Sequence, residues 1–247
     1  MGILAGLLDL ALPVECAGCG AAGSAWCARC AAELEGGPVG VRPRVAPGVP
    51  VWSTGVFGGA RRGAVIALKE HGRRDAAVPL AAALARSIAA LREAGELDPP
   101  ELAPLILVPA PSRASAARRR GGDPVLRIAT LAAGASPTRR APARPATAVA
   151  PDRAVPALRL RAGARDSVGL GAAARQRNLA GRVTVRRGAV ERLSAGPGSV
   201  APGSAHRAPA VVFVDDVVTT GATAAESVRV LANAGVRVCA ALVLGHA

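Results

Sequence analysis

The chain has 247 residues, enough for one medium domain plus an appendage and for a sizeable core. Apolar residues make up 51% of it, which excludes a disordered chain, and aromatics only 2%, so the core must be built from Ala, Val and Leu. The net charge of +14 comes almost wholly from Arg; it fits either a polyanion partner or an Ala/Arg-biased composition, and the scarcity of aromatics leaves little for base stacking.

Gly2 to Leu12 reads as a short amphipathic helix with Ile3, Leu7, Leu8 and Leu10 on its packing side. It is not a secretory signal, because no basic segment precedes it and Asp9 interrupts the run. No membrane span is expected, and a cytoplasmic setting favours metal over disulfides for clustered cysteines. Cys16-Ala17-Gly18-Cys19 is followed, after seven residues, by Cys27-Ala28-Arg29-Cys30. Two such knuckles can present Cys16, Cys19, Cys27 and Cys30 tetrahedrally to one structural Zn²⁺, with no open position for catalysis. Trp26 is expected to pack on this ribbon, and Cys239 to be a small buried hydrophobe. The ribbon and its leading helix are assigned to residues 1–35, a Gly/Pro-rich linker to 36–50 and the larger domain to 51–247.

Within that domain Val51 to Phe57 can form a strand, and Gly59–Leu68 and Val78–Leu91 read as helices. The run Leu68-Lys69-Glu70-His71-Gly72-Arg73-Arg74 is either a cationic loop beside an anionic ligand or a solvated basic turn. Leu105-Ile106-Leu107-Val108 is a buried strand that enters Pro109-Ala110-Pro111-Ser112-Arg113; Val125 to Ala133 is a helix. Residues 134–156 form an Ala/Pro/Arg/Thr-rich insertion, a strand is expected at Leu158-Arg159-Leu160, and a helix ends near Arg175-Gln176-Arg177-Asn178. Val183 and Val185 resume β character, and residues 194–208 read as a loop. Val236 to Leu244 forms the last buried strand.

The most informative stretch is Val211-Val212-Phe213-Val214-Asp215-Asp216-Val217-Val218-Thr219-Thr220-Gly221-Ala222-Thr223. It reads as a buried strand ending in two carboxylates, then a small-residue turn and the N-terminus of a helix. Ligands of open α/β sheets sit beyond the carboxyl ends of the strands. The N–H groups and dipole of the following helix suit a phosphate there. Gly221 permits close backbone approach, and Thr219, Thr220 and Thr223 add hydroxyls. Asp215 and Asp216 repel phosphate but can accept hydrogen bonds from sugar hydroxyls or hold a hydrated Mg²⁺.

This stretch resembles the signature of type I phosphoribosyltransferases, which bind phosphoribosyl pyrophosphate (PRPP). The cysteine ribbon, the LKEHGRR and VPAPSR segments, RQRNLAGR and the signature occur in one order that is similar to the ComF family of bacterial competence-associated proteins. The resemblance implies a parallel sheet flanked by helices, joined to a small N-terminal zinc ribbon. It implies that Asp215 and Asp216 hold the ribose, that Thr219, Thr220, Gly221, Ala222 and Thr223 cradle the 5′-phosphate, that Arg113 meets the pyrophosphate, and that Lys69 and Arg175 are further PRPP-binding residues, Arg175 with Asn178 as the lid's Arg-x-x-Asn pair. Mg²⁺ would accompany PRPP, and the reaction would transfer phosphoribose to a nitrogen nucleophile with release of pyrophosphate. A PRPP or nucleotide sensor without turnover, and a zinc-ribbon module for DNA uptake, stay open. Candidate partners are single-stranded DNA, DNA-uptake proteins and a second copy of the chain.

The departures from the family pattern lie on the side of the second substrate. Glu70 replaces an aromatic, Gly121-Gly122-Asp123-Pro124 replaces Gly-Phe-Asn-Gln, and Arg165-Asp166-Ser167-Val168 lacks the lid's Thr and Gln. Thr219 stands where purine-specific relatives carry an Asp base, so purine salvage is not expected.

Overall fold

In the computed structural model, residues 14–119, 121–135, 151–161, 181–194 and 208–247 are described. Six strands form one sheet: β1 (Val39–Gly40), β2 (Val51–Ser53), β3 (Leu105–Pro109), β4 (Arg153–Ala154), β7 (Ala210–Val218) and β8 (Val238–His246), in spatial order β1-β2-β8-β7-β3-β4. Only β1 runs antiparallel to its neighbour. A separate antiparallel pair joins β5 (Leu158–Leu160) to β6 (Val183–Val185).

Strand periodicity sorts the core into two faces. On one face Leu105, Leu107, Val212, Val214, Ala240 and Leu242 pack under helices α2 (Gly59–Glu70), α3 (Ala77–Glu93) and α5 (Pro124–Gly134). On the other, Ile106, Val108, Val211, Phe213, Ala241 and Val243 meet α6 (Ala189–Ser194), α7 (Ala222–Asn233) and the β5–β6 pair. Helices on both faces explain why the central strands are continuous apolar runs. Val212, Phe213 and Val214 have no exposed surface, and each such side chain contributes about 1.5–3 kcal/mol of burial.

The crossover from β7 through α7 to β8 runs one way along the sheet. The chain leaving β3 through α5 reaches β4 on the other side. The carboxyl ends of β7 and β3 therefore flank the point where the winding direction reverses, the place where such sheets bind ligands. At the far edge Asp152 fixes β4: it accepts from both terminal Arg92 guanidinium nitrogens at 3.0 Å and from the Leu105 N–H at 2.9 Å.

The ribbon is packed on this body. Cys16, Cys30 and Leu34 belong to the same apolar cluster as α2 and α3, with Trp26 against it, as the sequence leads one to expect of that tryptophan. Glu33, in the short helix α1 (Ala28–Glu33), accepts the Ala60 N–H at 2.7 Å. It caps α2, whose own N-cap, Gly58, has no side chain for the purpose. Arg86 of α3 donates to the Leu34 carbonyl at 2.6 Å.

Candidate functional site

The signature strand is longer than its carboxylates suggest. β7 continues past Asp215 and Asp216 to Val218, pairing Asp215 with Val243 and Val217 with Gly245. Its other neighbour stops sooner: β3 ends at Pro109 opposite Val214, where the Ala110 N–H bonds the Val214 carbonyl at 2.7 Å. The acidic pair thus emerges just where β3 gives way to the loop that carries Ser112 and Arg113. After β7 come Thr219 and Thr220, then Gly221 at φ 85°, and α7 begins at Ala222, with Thr223 in its first turn. The left-handed turn favours glycine and swings the helix N-terminus in beside the strand end.

Lys69 is not in a loop. α2 runs two residues beyond its expected end to Glu70, and its last turn brings the Lys69 ammonium onto Asp216 Oδ2. The neighbouring basic residues have separate partners. Arg73 bonds the Glu15 carbonyl of the ribbon at 2.9 Å, and Arg74 bonds the Gly121 carbonyl at 3.0 Å.

Asp215 accepts the Asp216 N–H at 2.8 Å through Oδ1. The residue is half-buried. Desolvation pushes its carboxyl up to about 7, against the lowering field of Lys69 and helped by the negative charge of Asp123.

Asp123 is a site neighbour that the sequence reading names only as part of a departure from the family pattern, with no role of its own. It caps α5 by accepting the Leu126 N–H at 3.1 Å, and it receives the Ser112 hydroxyl, tying the loop after β3 to that helix. Asp-Pro at a helix start after Gly121-Gly122 is the signal that marks it. Arg113 belongs to the same loop, and its carbonyl accepts the Ala117 N–H in α4 (Ala114–Arg119) at 2.9 Å. Arg175 lies outside the described residues, as do Gly2–Leu12 and residues 165–168, where the resemblance leads one to expect a lid.

The four cysteines converge. The sulfurs of Cys16, Cys19, Cys27 and Cys30 all lie within 4.8 Å of one another. Cys19 and Cys27 sulfurs are 3.7 Å apart, close to the roughly 3.8 Å edge of a tetrahedron with Zn–S near 2.3 Å. The Cys27 N–H points to the Cys16 sulfur at 3.4 Å. Burial works to raise the Cys16 thiol, but this N–H and those of Cys19 and Gly18 outweigh it and bring it down to about 6. A Cβ on Gly18 would sit 2.7 Å from the Cys30 sulfur and 2.9 Å from Trp26, so the knuckle requires glycine there. The donor set and spacing are compatible with a structural zinc site.

No helix among the described residues is long and apolar enough to cross a membrane. The chain matches no protein-family model, and no curated protein matches it.

Proposed function

We propose that this is a phosphoribosyltransferase-like protein of the ComF type that binds PRPP with Mg²⁺ and transfers its phosphoribosyl group to a nitrogen nucleophile. The observation that carries the reading is the juxtaposition at one sheet edge. An acidic pair, a left-handed glycine turn and a helix N-terminus follow one another there, and Lys69 arrives from a different helix. Carboxylates suit the ribose hydroxyls, the amides of residues 221–223 suit the 5′-phosphate, and the loop bearing Arg113 suits the pyrophosphate. Bound Mg²⁺ would neutralise the departing pyrophosphate. The C1–O bond to pyrophosphate breaks as the acceptor nitrogen bonds C1, and the nitrogen's proton leaves to solvent. Asp215 and Asp216 fix the ribose while charge develops on the ring. Zn²⁺ at the four cysteines would have a structural role.

A PRPP sensor without turnover is the second reading. It is favoured by the absence of any titratable side chain in Val217–Thr223 to take the acceptor's proton. Calorimetric titration with PRPP, with and without Mg²⁺, tests the site: the parent should bind and the Asp215→Asn/Asp216→Asn double variant should lose most of that affinity. Equal binding by both overturns the assignment. Pyrophosphate release with amine acceptors then separates the transferase from the sensor, and salt-dependent binding of single-stranded DNA tests the link to DNA uptake.

A further inference from the structure

The peptide between Thr220 and Gly221 is held from outside the signature. The Val45 N–H, in the segment joining β1 to β2, donates to the Thr220 carbonyl at 2.8 Å. The same segment covers the Cα of Gly221. A Cβ there would collide with the Val45 carbonyl and lie 2.7 Å from Pro43 Cβ. So the close approach that Gly221 permits is, on this side, an approach by the protein's own backbone. The covering segment is itself fixed, since the Val41 N–H bonds the Val51 carbonyl at 2.8 Å and Pro47 is buried. Its burial alternates: Val41, Pro43 and Val45 are half-buried, while Arg42 and Arg44 are exposed.

In a trans peptide the carbonyl and the N–H point in opposite directions. With the Thr220 carbonyl drawn onto Val45, the Gly221 N–H is turned away from residues 43–45. A peptide next to glycine at positive φ has little steric resistance to flipping. The flipped form would present a carbonyl oxygen where a phosphate needs a donor. We infer that residues 43–45 are a positioning device that locks the Thr220–Gly221 peptide in its anion-binding orientation, with the Val45 N–H as its key group. The inference rests on the phosphate reading of the signature loop. Val45 acts on the ligand only through the loop, and its side chain is incidental; what matters is that residue 45 carries an N–H.

The test uses the full chain and ribose 5-phosphate as the probe. Val45→Pro removes the N–H and should weaken binding about tenfold, the effect of one charge-assisted hydrogen bond. The conservative variant Val45→Ala keeps the N–H and should bind within about twofold of the parent. In amide NMR spectra the parent's Gly221 resonance should shift on titration. In Val45→Pro that shift should be lost while those of Ala222 and Thr223 persist, a selectivity that general destabilisation would not produce. If Val45→Pro does not fold, Pro43→Gly, which loosens the segment and keeps every N–H, should bind about threefold more weakly. Equal affinity of Val45→Pro (or, failing that, of Pro43→Gly) and the parent overturns the inference and leaves the phosphate site standing. So does an equal loss in Val45→Ala and Val45→Pro. No binding of ribose 5-phosphate or PRPP by the parent overturns both.

Discussion

Lys69 and Asp216 form an ion pair that joins the last turn of α2 to the carboxyl-edge end of β7, with Asp216 Oδ2 meeting no other donor among the described residues. The pair is unequal: the Lys69 side chain is 32% exposed and that of Asp216 only 12%. Lys69→Gln therefore leaves a largely buried carboxylate without its counter-charge. After allowance for solvent screening on the lysine side, a loss of about 1–3 kcal/mol is expected in urea unfolding at pH 8. On the proposed reading, PRPP affinity should fall in the same variant, since the cation beside Asp216 is gone.

Asp215 carries a pH dependence whose sign is fixed by its raised value. Its carboxyl rises from the ordinary aspartate range to about 7 on folding, so the folded protein holds a proton there that the unfolded chain has released. Stability from this group is full below about pH 4 and is lost as pH rises towards 7. Asp215→Asn keeps an oxygen for the Asp216 N–H and removes the charge, so it should be more stable than the parent at pH 8, by about 1–4 kcal/mol. PRPP binding should show the opposite trend in the parent, strengthening between pH 6 and 8 as the carboxylate forms.

Two substitutions should move that titration in opposite directions. Lys69 lowers Asp215 and Asp123 raises it. Carboxyl NMR titration should thus find the midpoint higher in Lys69→Gln and lower in Asp123→Asn. Both shifts in the same direction would refute this picture of the field at the site.

Zinc content should be about one per chain and should fall on Cys30→Ser, whose sulfur is fully buried in the cluster. A strong chelator should lower the melting temperature of the parent by more than about 5 °C. The ribbon caps and packs α2, so chelation should also weaken PRPP binding.

Asp152→Ala is expected to be among the most damaging changes away from the site. It strands Arg92, whose side chain is 8% exposed, and leaves the Leu105 N–H without its acceptor. About 3–5 kcal/mol should be lost in chemical unfolding. Replacing both members with apolar residues should recover much of this.

The layered sheet was legible because strand periodicity is local: Leu105–Val108 and Val211–Val214 announce a two-sided core by composition alone. The cysteine cluster was legible for the same reason, since spacing within each knuckle fixes its shape. Ends were harder. Nothing in Leu68-Lys69-Glu70 breaks a helix, and the chain turns only at Gly72, at φ 66°, so the lysine sits on α2. β7 outruns its carboxylates because β8 offers partners up to His246, information that lies elsewhere in the chain. Asp123 had a local signal in its cap. The contact of Val45 with Thr220 had none, because it joins residues 175 positions apart through main-chain atoms that every residue but proline possesses.

α2 is clamped at both ends, by Glu33 at Ala60 and by Asp216 at Lys69. Each residue of a helix adds about 100° of rotation and 1.5 Å of length. Inserting or deleting a single residue between those two points would aim the ammonium at a different quadrant, whatever the inserted side chain. The span from Ala60 to Lys69 should therefore tolerate point substitutions at its exposed positions and reject every one-residue indel, so that the tenable lengths differ by whole turns.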